Sequence, residues 1–199
     1  MRITADEKQA TRLRILAAAG DLFRQHSFET ATTRDIARAA GIAAGTLFNY
    51  FPSKEAIVAG LAEDAWGKAH ARFQKLSGTG DLNETLFALI AAELRELKPL
   101  RKFVAPLLDT VLSPLASASA HHGADDIRRE HLELVAALIR DHGIHELPPV
   151  SMQLYWTLYT GVLAFWAGDN SPKQEDTLAL LDQSLAMFVQ WLRSGSVPS

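Results

Sequence analysis

Two groups of side chains in this 199-residue chain are of types that do chemistry. Histidines crowd one stretch, at His121, His122, His131, His142 and His145. Imidazole is a common metal ligand, so a metal site is the first chemistry to weigh. The spacing does not favour it. Gly143 interrupts the helix between His142 and His145, and no acidic residue or cysteine stands at a telling interval. We expect no metal, no cofactor and exposed histidines near a loop. The second group is Thr32, Thr33, Arg34, Thr46, Asn49, Tyr50 and Lys54. Thr32 is placed to cap a helix, with Asp35 three residues on completing a capping-box pattern. Thr33 and the free amides of that helix start can hold a phosphate. No GxSxG, P-loop or HExxH pattern accompanies them, so the expected chemistry is binding and not catalysis.

The elements that must position this group are helices. Residues Thr32 to Lys54 read TTRDIARAAGIAAGTLFNYFPSK. Ile36, Ala37 and Ala40 form one apolar stripe, and Gly41 ends that helix because glycine takes the left-handed cap without a Cβ penalty. A second short helix follows from about Ala43 to Tyr50, with Leu47 and Phe51 turned inward. Helices of roughly eight residues are marginal alone and must pack on a neighbour. The pattern is similar to a helix-turn-helix, in which the second helix enters the DNA major groove. Before it lies a helix from about Asp6 to His26, with Leu13, Leu16, Ala19 and Phe23 on one side. After it, Ser53 can cap a long helix from Lys54 to Leu76. Further helices are expected at Leu82–Leu97, Pro99–Leu112, Asp126–Asp141, Pro149–Gly168 and Gln174–Arg193, with a loop over Ser113–Asp126. No sustained alternation of period two occurs, so the class is all-α with roughly nine helices.

Composition agrees with a globular chain: 48% hydrophobic, 22% charged and without cysteine. No apolar run reaches the length of a membrane span, and the N-terminus is charged where a signal peptide needs an apolar run. We expect a cytoplasmic protein without membrane partners. The net charge of −3 conceals an asymmetry: through Lys54 there are eight Lys/Arg against five acids, and the remainder is acidic. A mildly basic head on an acidic body suits a module that binds a polyanion.

The segment from Ile15 (ILAAAGDLFRQHSF) through Lys54 resembles the N-terminal domain of the TetR family of transcriptional regulators. The resemblance lies in the apolar first helix ending in Leu-Phe, the Thr-Thr pair, Ile-Ala, Ala-Gly, Gly-Thr-Leu-aromatic, Tyr-Phe and Ser-Lys-Glu. It implies a DNA-binding domain at residues 1–52 and a ligand-binding and dimerisation domain at 53–199. It also implies DNA contacts at Thr33, Arg34, Ala44, Gly45, Thr46, Phe48, Asn49, Tyr50 and Lys54. Among these, Thr33, Thr46, Tyr50 and Lys54 fall to phosphates, and Arg34 to a base edge or to solvent beside Asp35. Asn49 falls to a base or a phosphate. Phe48 departs from the tyrosine usual in relatives and either packs against a sugar or thymine methyl or joins the core. Lys54 opposes the dipole at its helix start, so neither capping nor packing accounts for it. Ser27 replaces a usual glycine.

For the body, the resemblance implies a small-molecule effector, largely apolar, and Trp66, Phe103, Leu107, Tyr155, Trp156 and Tyr159 are the candidate lining. A filled body would suit instead a protein partner or no ligand. The last helix carries one apolar stripe at Leu178, Leu181, Leu185, Phe188 and Leu192, with Leu180, Met187 and Trp191 off it. By resemblance the stripe forms the interface of a homodimer, probing a palindromic double-stranded operator as a repressor.

Overall fold

The computed structural model describes residues 4–26, 28–76, 80–104, 108 and 122–195. Among the described residues there are eight α-helices and no strand. They are α1 (Ala5–Gln25), α2 (Thr33–Ala39), α3 (Ala44–Phe48), α4 (Lys54–Leu76), α5 (Leu82–Leu97), α6 (His122–Asp141), α7 (Ser151–Gly168) and α8 (Glu175–Arg193). Two 3-10 segments, Lys98–Phe103 and Pro172–Gln174, complete the set. The chain divides into two compact units, Met1–Glu63 and Asp64–Ser199, so the division falls inside α4.

In the first unit α1 packs on α2 and α2 on α3. Ile15, Leu16, Ala19 and Phe23 of α1 are buried with Ile36, Ala37, Leu47, Phe51 and Ile57. Leu13, expected on that face, is 47% exposed. The starts of α1, α2 and α4 are capped by side chains, while that of α3 has no side-chain cap. The Thr4 hydroxyl accepts from the Glu7 amide, Thr32 accepts from Asp35 N at 3.2 Å, and Ser53 Oγ accepts from Ala56 N at 3.2 Å. Gly41 adopts φ +68 between α2 and α3, the left-handed turn that a side chain would strain. Gly60 is required by proximity: a Cβ there would stand 2.9 Å from the Phe51 ring and 3.1 Å from Leu16. Ser27 lies outside the described residues.

In the second unit α5 packs on α8, α8 on α7, and α6 on α5 and α7. Leu82, Leu86, Leu89 and Ile90 of α5 meet a core that includes Leu181, Leu185, Phe188 and Leu192 of α8. Helix α6 begins at His122, so residues 122–126, expected in a loop, are helical; 113–121 lie outside the described residues. The chain after Leu97 opens as a 3-10 run, where Pro99 has no amide to continue α-helical bonding.

Candidate nucleic-acid interface and the buried polar centre of the body

Helix α3 is only five residues long, and its inward anchor is Leu47, fully buried. Ala44, Gly45, Phe48 and Asn49 are exposed, while Thr46 and Tyr50 are half-buried. Phe48 is 50% exposed, which removes the core alternative for it and leaves an aromatic face on the outer side of α3. Small residues on that side let a partner approach closely. The side chains do not supply a row of base-reading groups.

The start of α2 lies in the same unit. Thr33 is half-buried and Arg34 exposed. Asp35 is engaged by Thr32, whose amide and hydroxyl donate to Oδ2, and by Arg38 at 3.1 Å. The Thr32 hydroxyl and amide hold its carboxyl below the usual range. Asp35 therefore pairs with Arg38, and Arg34 makes no hydrogen bond or ion pair to a described residue.

Lys54 corrects the dipole argument made from sequence. Its ammonium donates to the carbonyls of Phe28 and Ala31, the latter at 3.1 Å, and stands 4.2 Å from the centre of the Phe28 ring. Its bonds to the segment before α2 thus account for a cation at this helix start. The ammonium has three protons, so two carbonyls leave one for a phosphate.

In the body, five of the six candidate lining residues are placed. Trp66, Phe103, Tyr155, Trp156 and Tyr159 are all buried; Leu107 lies outside the described residues. Trp66 Nε1 donates to the Tyr159 hydroxyl at 2.7 Å, and the Trp156 and Tyr159 rings lie 5.4 Å apart. A groove of ≈340 Å³ is lined elsewhere, by Phe87, Leu94, Lys98, Trp166, Lys173 and Leu178 among others.

The expectation of solvated histidines fails at His131, which is 1% exposed and stacks on Tyr159 with centroids 4.4 Å apart. Its partner is Glu93, 0% exposed, which His70 also reaches. Burial raises the Glu93 pKa, but the two imidazoles outweigh it and hold the carboxyl down at about 2. Burial and the same carboxylate push the phenols of Tyr155 and Tyr159 well up. Neither Glu93 nor His70 was singled out from sequence. A signal was present: Glu93 sits on the stripe of Leu86, Leu89, Ile90 and Leu97, a charge on an apolar face, and His70 lies between Trp66 and Phe73. His142 is also engaged, with Nδ1 at 2.7 Å from the Leu138 carbonyl, while His145 is exposed. His121 and the side chain of His122 lie outside the described residues.

Four of the five residues of the stripe expected on α8 are buried within their own unit. Leu181, Leu185, Phe188 and Leu192 are each no more than 4% exposed, since they face α5 and α7 inside their own unit. A side chain already buried there has no surface to offer a second chain. Only Leu178 of the five is exposed, at 38%, together with Leu180 and Met187 on the flank of α8.

Comparison with known proteins agrees with this architecture of a helix-turn-helix head and a helical body. Residues 15–61 match the family described as bacterial regulatory proteins, tetR family, and residues 85–199 match the tetracyclin repressor-like C-terminal domain. The chain belongs to the TetR family of transcriptional regulators. It is 38% identical over 69 residues to the HTH-type transcriptional regulator UidR of Escherichia coli K12, covering 35% of each protein. The chain thus spans about a third of the length of these first curated relatives. It is 33% identical over 109 residues to the transcriptional repressor KstR2 of Rhodococcus jostii RHA1, covering 52% of each. Thermus thermophilus FadR, a TetR family repressor solved with lauroyl-CoA, shares the fold at TM-score 0.63 and 24% identity, over 94% of this chain and 98% of that one.

Proposed function

We propose that this regulator is a repressor that binds a palindromic operator as a homodimer and is released by a small molecule held in its body. The observation that carries the DNA reading is the outer side of the first unit: Phe48, Asn49 and Arg34 are exposed beside Ala44 and Gly45, with Leu47 anchoring them from beneath. In this reading residues 1–52 bind DNA and residues 53–199 bind effector and partner. Arg34 and Asn49 read base edges, Phe48 packs on sugar or thymine methyl, and Thr33, Thr46, Tyr50 and the third proton of Lys54 hold phosphates. Ala44 and Gly45 allow the groove wall to approach, so DNA shape contributes to choice of site. Such a regulator works in the cytoplasm; among the described residues no helix is long and apolar enough to cross a membrane.

The effector reading is supported by the aromatic lining set and by the lauroyl-CoA bound to the Thermus thermophilus relative. A largely apolar molecule coupled to the operator by about 1–3 kcal/mol would lower affinity several-fold to over a hundredfold. One observation favours a second reading, in which the body binds a protein partner or no ligand: Tyr159 contacts both Trp66 and Trp156, and all three are buried against neighbours.

Selection of bound duplexes from a random pool, repeated with long-chain acyl-CoA present, tests both. Enrichment of an inverted repeat that the thioester abolishes supports the first reading. Enrichment that no acyl ligand alters leaves the second, and a pool without any enriched sequence rejects the DNA-binding assignments altogether.

A further inference from the structure

Three helices of the second unit bring metal-ligand side chains together: His70 from α4, Glu93 from α5 and His131 from α6. His70 Nε2 lies 2.7 Å and His131 Nδ1 3.0 Å from the same Oε1 of Glu93. Their ligand atoms all lie within 4.8 Å of one another. Glu93 and His131 are buried, and the His70 side chain is 22% exposed. The other carboxylate oxygen, Glu93 Oε2, is buried with no hydrogen-bond partner. A buried carboxylate oxygen left unsatisfied is costly, and native structures rarely keep one without a further occupant.

We propose that His70, Glu93 and His131 form a His2Glu site for one divalent transition ion of the zinc type. The donor set decides the class of ion. Two imidazole nitrogens and one carboxylate suit zinc and its neighbours; calcium and magnesium call for oxygen alone, and no thiolate is there to select copper(I). The geometry needs two separations to widen and the third, between the imidazole nitrogens within 4.8 Å of each other, to close. Zinc holds nitrogen and oxygen at about 2.0–2.2 Å, which sets tetrahedral ligands about 3.4 Å apart. The present separations of 2.7 and 3.0 Å are hydrogen-bond distances, and parting them by a few tenths of an ångström replaces the shared protons by the ion.

Tyr155 supplies the outer layer such a site requires. Its hydroxyl lies 2.9 Å from His131 Nε2, the ring nitrogen that faces away from Glu93. With the ion on Nδ1, Nε2–H donates to this hydroxyl and fixes the ring, as ligating histidines commonly do. Three protein ligands leave a fourth position for water, and Glu93 Oε2 gains a positive neighbour. The site rests on the body alone and stands whether or not the DNA and effector readings hold.

The test uses the full chain, stripped with a chelator and titrated with Zn2+ and with Co2+. The expected result is one ion per chain, with tetrahedral Co2+ absorption. His70→Gln and Glu93→Gln each weaken binding at least ~10-fold, Tyr155→Phe weakens it ~10–100-fold, and His145→Gln leaves it unchanged. Thermal melts of the metal-free variants report folding; should Glu93→Gln not fold, His70→Gln at the edge of the site decides. Substoichiometric binding at micromolar metal overturns the proposal. So does binding that survives His70→Gln, or that is lost only with His145→Gln.

Discussion

Lys54, proposed to hold a phosphate, also holds the fold. Its ammonium ties the carbonyls of Phe28 and Ala31, which closes the segment between α1 and α2 onto the start of α4. Hydrogen bonds from a charged donor are worth about 1.5–3 kcal/mol, so Lys54→Ala is expected to lower the stability of the head by about 2 kcal/mol. Operator affinity should fall as well. A melt that stays unchanged while affinity drops would remove the structural role and leave the phosphate alone. Arg34 differs, since Asp35 is committed to Thr32 and Arg38 and does not hold it. Arg34→Ala should leave the melting temperature alone and cost about 1–3 kcal/mol of discrimination at particular base pairs. A loss spread evenly over all sequences would make Arg34 a phosphate contact.

The starts of α4 and α5 fall at Lys54 and Leu82, where the sequence reading put them, while the Thr4 cap of α1 went unread. Ser53 and Asp81 start α4 and α5 at the positions their side chains dictate, with the Glu84 amide donating to Asp81 at 2.9 Å. Helix α8, expected from Gln174, starts one residue later at Glu175, although its cap comes from a distance. Gln174 precedes it in a left-handed conformation and supplies no side-chain bond. Asp169 does so instead: its Oδ2 accepts from the Thr177 hydroxyl and amide, at 2.5 and 3.1 Å, and Oδ1 accepts from the Ser171 amide. Ser171 Oγ in turn accepts from the Asp176 amide. Bonds from Thr177 and Ser171 hold the Asp169 carboxyl well below the usual carboxylate range. A carboxyl whose pKa is depressed by folding adds stability above its unfolded pKa of about 4, and that stability is lost as pH falls towards the folded pKa. The wild-type melting temperature should therefore drop more steeply below about pH 4 than that of Asp169→Asn, in melts recorded from neutral pH downward. Parallel slopes would show that Asp169 is not linked to folding. The same logic explains why Glu93, His70 and His131 were missed as a group. They come from three helices and are far apart in sequence, and only packing makes them neighbours.

At the scale of the whole molecule, α8 carries apolar side chains on two faces, and the sequence does not reveal which one turns inward. The stripe of Leu181, Leu185, Phe188 and Leu192 is the more regular and is the one buried within its own unit. Leu180 and Met187 follow at helical spacing on its flank, exposed by 37% and 71%, with Trp191 half-buried behind them. On α7, Leu154 and Phe165 are likewise exposed, at 36% and 45%, and share one side of the helix, with Gly161 between them. Large exposed apolar side chains on two helices that pack together suit a contact surface. A two-fold axis lets that surface cover its own copy. Two substitutions separate the faces. Met187→Asp places a charge on the outer stripe, so sedimentation should report monomers, with unchanged helicity and a loss of affinity for a two-half-site operator. Phe188→Ala empties part of the core and should cost about 3–5 kcal/mol of stability, with the dimer contact itself intact. If Met187→Asp remains a dimer, the flank of α8 is not the interface, and the exposed side chains of α7 and α8 need a different partner.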